Sequence, residues 1–295
     1  NADWSRPETP RIEPGHCYEW AFLLHEVERL TGRDTASWRR RLIDFAEASG
    51  VRGGLVVDTL GADPVWLFAA ILSGDPNLID IFKRGEDVHR GVALRVFGVN
   101  AEEVTENMRR QAKVINFGIL YGMGVNALRQ NLGSDTTREA AQEFLNAYFN
   151  TFTRLAEYLE ATKAYAREHG YTRTLLGRKR HFPGMQSTAP FIRAQAERMA
   201  INAPIQGTAA DCMRLAMLEA HAVLEGTTDG AMLLQVHDEL VFEVRTDQLA
   251  IVVPKLKAAL EGVLAEYDTH GVPVVAEVQV GDNWRALEPW SARDT

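Results

Sequence analysis

Apolar residues recur three and four positions apart along most of the chain, which is the spacing of helices with one buried face. Leu23, Leu24, Val27 and Leu30 form one such face. The pattern predicts helices over 17–30, 37–48, 64–73, 76–84, 87–97, 101–123, 136–149, 152–169, 189–223 and 247–266. Turn-forming residues such as Ser73-Gly74-Asp75-Pro76 separate several of them, so the chain is predicted to be largely helical.

Other segments have the character of strands. A short apolar run ends on Asp58, and residues 231–245 contain two apolar runs on either side of His237-Asp238-Glu239. The second pattern predicts a β-hairpin with acids at its tip. A smaller hairpin is predicted between Tyr171 and Pro183. We expect the strands at 55–58, 231–245 and 272–280 to form one sheet backed by helices, which is an α+β architecture.

The segment 109–122 places two cations and two aromatic rings four residues apart: Arg109, Lys113, Phe117 and Tyr121. On a helix these four residues form a slanted stripe of about 18 Å with charge at one end and flat rings at the other. A triphosphate would meet the charges and a base would meet the rings. Gly118 and Gly122 reduce the bulk beside the rings, so we expect a flat ligand or a template base to approach there.

The segment 109–122 resembles the fingers-helix motif of family A DNA polymerases, the bacterial DNA polymerase I type. The segments 206–211 (Gln-Gly-Thr-Ala-Ala-Asp) and 235–240 (Gln-Val-His-Asp-Glu-Leu) resemble two further motifs of that family, in the family's order. The similarity extends from about Asp75 to residue 284.

This resemblance implies a palm-like antiparallel sheet backed by helices, formed by 55–80 and 200–295. It also implies a helical fingers-like subdomain at 81–199, preceded by a poorly matching segment, 1–54. No part of the sequence resembles the family's thumb or exonuclease domain. We expect a longer chain to supply those portions.

Nucleotidyl transfer requires two divalent cations, and Mg²⁺ prefers few protein carboxylates together with phosphate and water oxygens. By resemblance, Asp58 and Asp238 match the metal-binding aspartates of the family's first and third palm motifs. Glu239 would be a supporting catalytic acid near the primer terminus, and His237 would contact the primer. The implied cofactor is therefore a pair of Mg²⁺ ions.

The remaining implied roles concern nucleotide and DNA. Arg109 and Lys113 would hold the triphosphate, and Phe117 would stack beside the sugar and base. Tyr121 would guard the template position, and His89 would lie near the incoming phosphates. Four residues would face the minor groove of the duplex: Arg193, Arg198, Asn202 and Gln206.

The overall charge changes this interpretation only in part. A net charge of −8 and a pI near 5.6 argue against a protein that coats nucleic acid through bulk positive charge. DNA binding would depend on local patches, such as Arg39-Arg40-Arg41 or the segment 178–181 (Arg-Lys-Arg-His). Cys17 and Cys212 form no spaced metal set and favour a reducing, cytoplasmic environment. No apolar run reaches the length of a membrane helix, so we expect a soluble protein.

Three functions follow from these patterns. The first is a template-directed DNA polymerase that uses primer–template DNA and dNTP, as a fragment with weak activity alone. The second is a non-catalytic, polymerase-like module that binds nucleic acid or nucleotide. It is favoured by residues 59–67, which are about two residues longer than the family segment and lack its aromatic residue, Glu and Arg. Asp63 lies at the offset of that Glu. The third is a phosphohydrolase that uses His237-Asp238 as a metal pair.

Overall fold

A computed structural model describes the backbone of residues 54–60 and, with side chains, residues 63–133, 136–283 and 286–290. The helices predicted at 17–30 and 37–48 lie outside the described residues, as do the Arg39-Arg40-Arg41 patch and Cys17. The α-helices are α1 (Pro64–Ser73), α2 (Pro76–Lys83), α3 (Val88–Phe97), α4 (Glu106–Leu120), α5 (Val125–Leu132), α6 (Arg138–Thr151), α7 (Thr153–His169), α8 (Pro190–Leu224) and α9 (Leu249–Glu261). The strands are β1 (Gly54–Leu60), β2 (Tyr171–Arg173), β3 (Lys179–His181), β4 (Gly230–Val236), β5 (Glu239–Val244), β6 (Ala276–Gly281) and β7 (Glu288–Pro289).

Five strands form one sheet in the order β4-β5-β1-β6-β7. The pairs β1–β5, β4–β5 and β6–β7 are antiparallel, which confirms the predicted sheet. Strand β6 begins at Ala276, four residues later than predicted. Pro273 has no backbone N–H to donate to a strand ladder, which explains the late start.

The described chain divides into two compact units. The sheet unit contains residues 54–59, Met217–Leu260 and 276–290, and therefore includes the five-stranded sheet. The helical unit contains Leu60–Ala216 and Glu261–Val275, with α1 to α7 and the small β2–β3 hairpin. No described helix is both long enough and apolar enough to cross a membrane.

Large side chains fill the core of the helical unit, where Trp66, Phe68, Tyr148 and Phe152 are almost completely buried. Asp75 is also fully buried, and its carboxylate links two helices. Oδ1 accepts hydrogen bonds from the backbone N–H groups of Asn77 and Leu78 at the start of α2, and Oδ2 accepts one from Leu155 N in α7. Burying this carboxylate is tolerated because three backbone donors satisfy it.

The segment predicted as one helix over 101–123 is shorter in the structure. Residues 101–103 form a 3₁₀ turn, and α4 begins after Thr105, whose hydroxyl accepts a hydrogen bond from Met108 N at 3.2 Å. The helix ends at Leu120 because Gly122 takes a left-handed φ of 67°. Helix α5 was not predicted, since it is short and its N-cap residue, Gly124, has no side chain to cap it.

Candidate nucleotide-binding and catalytic site

The cation and aromatic stripe lies on the exposed side of α4. Lys113 is exposed, the Arg109 side chain is about one-third exposed, and the rings of Phe117 and Tyr121 are 38% and 50% exposed. The other side of the helix packs into the unit through buried residues: Ala112, Ile115, Asn116, Ile119 and Leu120. The stripe therefore faces solvent, although Arg109 is only partly exposed.

Arg109 is held by Asp87, the residue that caps the start of α3. Arg109 Nη2 lies 2.7 Å from Asp87 Oδ2, and Arg109 Nε lies 3.2 Å from Oδ1, which is a two-pronged pairing. Burial raises the pKa of Asp87, but hydrogen bonds from Arg109 and the Arg90 backbone, with nearby positive charge, outweigh it and lower that pKa. An anionic ligand at Arg109 would compete with this carboxylate. Lys113 has no described carboxylate within ion-pair distance.

His89 is buried beneath the stripe, with 6% of its surface exposed. Its Nδ1 lies 2.9 Å from Asn116 Nδ2, its Nε2 lies 3.4 Å from Asp63 Oδ2, and its ring centroid lies 5.8 Å from that of Phe117. Burial lowers the pKa of His89 to about 4, and the charges of Lys113 and Arg109 add to this against the opposing charge of Asp87. His89 is therefore neutral at pH 7 and supports Phe117 from below.

Tyr121 is joined to helix α8 by one side-chain contact. Gln206 Nε2 donates a hydrogen bond of 2.7 Å to the Tyr121 hydroxyl. This contact brings together a residue predicted to guard the template and a residue predicted to face the minor groove.

The expected free space beside the two rings is absent in this part of the helical unit. A Cβ at Gly118 would lie 2.7 Å from Met123 Sδ, and one at Gly122 would lie 2.5 Å from Arg198 Cγ. The prediction that these glycines admit a flat ligand is wrong here, because protein side chains fill both positions. Their small size instead permits close packing at the end of α4.

The α8 residues that were predicted to contact DNA differ in exposure. Arg193, Arg198 and Gln206 are exposed, and Arg193 Nη1 donates to Ser187 O at 3.3 Å. Asn202 is 8% exposed, and its Oδ1 has no hydrogen-bond partner among the described residues. Access of a ligand to Asn202 would need a shift of neighbouring side chains.

The segment 206–211 also binds the β2–β3 hairpin to α8, which sequence reasoning missed. Asp211 is buried and accepts hydrogen bonds from Arg178 Nε at 2.7 Å and Arg214 Nη1 at 3.0 Å. Thr208 accepts one from Leu175 N at 2.9 Å. A Cβ at Gly207 would lie 2.6 Å from Thr174, so only glycine fits without a shift. The apolar spacing of α8 gave no signal of these contacts with residues far away in sequence.

In the sheet unit, the backbone of strand β1 at Asp58 pairs with strand β5 near the turn that contains Asp238. His237 and Asp238 form the two-residue turn between β4 and β5, and His237 has a left-handed φ of 55°. Such a backbone costs a non-glycine residue about 1 kcal/mol or more and often marks a functional turn. In the antiparallel register of β1 and β5, Asp58 lies opposite Leu240, two residues beyond Asp238.

Asp238 and Glu239 are half-buried, and no described cation forms an ion pair with either. No group of three or more His, Cys, Asp or Glu side chains suited to a metal occurs among the described side chains, a set that does not include Asp58. Carboxylates without a protein counter-cation suit a hard divalent ion such as Mg²⁺.

Comparison with known proteins decides the family. The family model described as DNA polymerase family A matches residues 67–286, a range that contains the stripe, the segment 206–211 and the acidic hairpin tip, but not Asp58. The chain belongs to DNA polymerase family A.

Family A relatives include the thermostable DNA polymerase I of Thermus aquaticus, 44% identical over 215 residues, which is 73% of this chain and 25% of that protein. The DNA polymerase I of Pseudomonas aeruginosa is 43% identical over 216 residues, 73% of this chain and 23% of that protein. The chain thus spans about a quarter of the length of these relatives.

A solved family A structure is similar in fold. The POL domain of Pol1 from M. smegmatis, in complex with DNA primer–template and dNTP, superposes with a TM-score of 0.73 at 35% identity. The alignment covers 79% of this chain and 40% of that one. The mostly helical fold with small antiparallel sheets is therefore that of a polymerase domain.

Proposed function

We propose that this chain carries out template-directed DNA synthesis, transferring a nucleotide from dNTP to the 3′ end of a DNA primer. The observation that carries the proposal is the exposed stripe of Arg109, Lys113, Phe117 and Tyr121 within the region that matches the family. Cations at one end and rings at the other suit a triphosphate joined to a base. In this proposal residues 81–199 are the fingers portion, and residues 55–80 with 200–295 are the palm portion.

The two cations of the stripe would bind the triphosphate in different ways. Lys113 is the cation available to the triphosphate at once, whereas Arg109 must first give up its pairing with Asp87. Phe117 would then pack against the sugar and base, held in place by neutral His89 beneath it. His89 would act mainly by positioning Phe117, since it is buried and its pKa is lowered.

Asp58 and Asp238 would hold two Mg²⁺ ions, with Glu239 as a supporting acid and His237 as a primer contact. When bound, these ions would activate the primer 3′ hydroxyl and neutralise charge on the triphosphate. The strained turn at His237 would hold Asp238 in a fixed position at the end of the hairpin. Asp58 would contribute from the neighbouring strand, β1.

Primer–template DNA would contact α8 through Arg193, Arg198 and Gln206, with Asn202 accessible after a local shift. Donors and acceptors in the minor groove can check base-pair geometry without reading sequence. Gln206 already binds the Tyr121 hydroxyl, so occupancy by a base pair would exchange that contact for one with DNA.

A non-catalytic binding module is the second candidate. It is favoured by the altered segment after Asp58 and by a family match that begins only at residue 67. We expect weak extension by this chain alone, because a carboxylate displaced by about 1 Å can cost a large share of the rate. A phosphohydrolase is not proposed, since His237 and Asp238 lie in the turn of a β-hairpin, whereas such metal sites draw their ligands from neighbouring helices.

Primer extension in Mg²⁺, run beside a gel mobility-shift assay on the same DNA, separates the two candidates. The polymerase proposal predicts slow but measurable addition of nucleotides at saturating DNA. A chain that shifts the DNA but adds nothing is a binding module. Release of phosphate from dNTP in the absence of primer would instead favour the phosphohydrolase.

A further inference from the structure

A second cationic and aromatic surface lies on the β2–β3 hairpin and the end of α7. We define the hairpin surface by Tyr171, Arg173, Lys179 and His181 of the hairpin with Tyr165 and His169 of α7. Tyr171 pairs with His181 and Arg173 with Lys179 across the two strands. Directly opposed residues share one face of a hairpin, so the four hairpin side chains lie together.

The cations of this surface lack neutralising partners. Arg173 and Lys179 are exposed, and no described carboxylate lies within ion-pair distance of either. Like charges directly opposite each other destabilise a hairpin, and Arg173 and Lys179 are such a pair. The acid on this side is Glu168, whose Oε2 lies 3.9 Å from His169 Nδ1 and whose side chain is 78% exposed. The surface therefore has an excess of positive charge that an anionic ligand would relieve.

Aromatic rings hold these cations in place. Lys179 Nζ lies 4.6 Å and Arg173 Cζ lies 5.3 Å from the centroid of the Tyr171 ring, and Arg173 Nη2 donates to the Tyr171 hydroxyl at 2.9 Å. The hydrogen bonds from Tyr165 and Arg173 lower the pKa of Tyr171 to about 8. Beside them, the His169 ring stacks on Tyr165 with centroids 4.0 Å apart. Fixed cations next to stacked rings offer both charge and a flat surface.

This surface adjoins the proposed DNA-binding residue Gln206 on one side only. The alternate hairpin residues Thr172 and Arg180 lie on the other face and line a pocket of about 220 Å³ with Gln206 and Gly207. Arg173 also borders that pocket, whereas Lys179 and His181 do not. Lys179 and His181 thus lie away from the pocket, whereas Arg173 lies beside both faces of the hairpin.

We propose that the hairpin surface binds single-stranded DNA through its phosphates and bases. Single-stranded nucleic acid supplies both the anions that Arg173 and Lys179 lack and the flat rings that stack on His169 or His181. An acidic peptide would supply only the charge. The inference goes beyond the proposed activity, because it needs neither the α4 stripe nor the metal-binding acids.

Fluorescence anisotropy with a labelled oligothymidine tests the proposal on the full chain. Arg173→Ala with Lys179→Ala should weaken binding about tenfold at low salt, because two exposed charge contacts are lost. The slope of log affinity against log salt should fall by about 1.4. The double variant Arg138→Ala with Arg154→Ala, which removes two exposed cations elsewhere, should leave affinity nearly unchanged. The single variant Lys179→Glu should weaken binding as well, without altering the pocket face.

Three further binding measurements test whether single-stranded DNA is the ligand of the hairpin surface. An abasic oligomer of equal length should bind more weakly than oligothymidine, and polyglutamate should compete poorly. Equal binding of the abasic oligomer or of polyglutamate would overturn the assignment to single-stranded DNA, as would equal losses in the two double variants. Arg110→Ala removes an exposed cation of α4 that lies outside the stripe, and that variant should bind oligothymidine normally. Thermal melting confirms that each variant remains folded.

Discussion

The stripe on α4 and the acidic tip of the β4–β5 hairpin are held in opposite ways. Within the stripe, Arg109 is neutralised by Asp87 and Tyr121 is bound by Gln206, so ligand must displace protein contacts. At the tip, Asp238 and Glu239 have no described counter-cation, and the turn is strained at His237. The difference indicates that a ligand at the stripe would replace protein contacts of Arg109 and Tyr121. A ligand at the tip would instead supply the positive charge that Asp238 and Glu239 lack.

The largest effect is expected at the tip. Asp238→Ala should reduce nucleotide incorporation about a thousandfold or more, because metal stabilisation of the reacting charges contributes several kcal/mol. Primer extension measures this loss. The matched control Glu266→Ala removes an exposed acid elsewhere and should retain full activity. If Asp238→Ala keeps its incorporation rate, Asp238 at the hairpin tip does not take part in the reaction.

The next effect concerns the free cation of the stripe. Lys113→Ala should raise the KM for dNTP through loss of a charge-assisted contact of about 1.5–3 kcal/mol. Steady-state kinetics at saturating DNA measure it, with Arg110→Ala on the same helix as the control. If both variants keep the original KM and rate, Lys113 lies on a merely solvated face.

The stripe also predicts a pH dependence of stability. The pKa of His89 falls from 6.5 unfolded to about 4 folded, so the unfolded chain binds more protons between these values. Stability should therefore fall as pH falls from about 6.5 to about 4, by up to about 3 kcal/mol. Urea unfolding across this range measures the slope, and His89→Gln should flatten it. An unchanged slope in His89→Gln would show that folding does not lower the pKa of His89.

The smallest effect should come from releasing Arg109. Asp87→Asn keeps a side chain that can cap α3 but removes the charge that competes for Arg109. The KM for dNTP should fall by about threefold, within the range of exposed ion pairs. Steady-state kinetics at saturating DNA, run together with Lys113→Ala, measure this change in KM. A raised KM would instead indicate that Asp87 orients Arg109 for the triphosphate.

Sequence patterns predicted the elements that depend on local spacing. Helices α1 to α3 and α6 to α8, both hairpins and the sheet follow from apolar periodicity and turn residues, as observed. The contacts within the candidate site join residues that are distant in sequence. Arg109 contacts Asp87 across 22 positions, and Arg178 contacts Asp211 across 33 positions. Such pairings depend on how helices pack, and periodicity carries no information about partners. The same reason explains why the space at Gly118 and Gly122 was misjudged.

Single-nucleotide incorporation on templates that differ only in the templating base tests the central claim most directly. The full chain in Mg²⁺, with saturating primer–template, is offered each dNTP in turn on each of the four templates. Template-directed synthesis predicts that every template selects its complementary nucleotide, even at a low overall rate. Incorporation that ignores the templating base, or none while the DNA is demonstrably bound, would contradict the account.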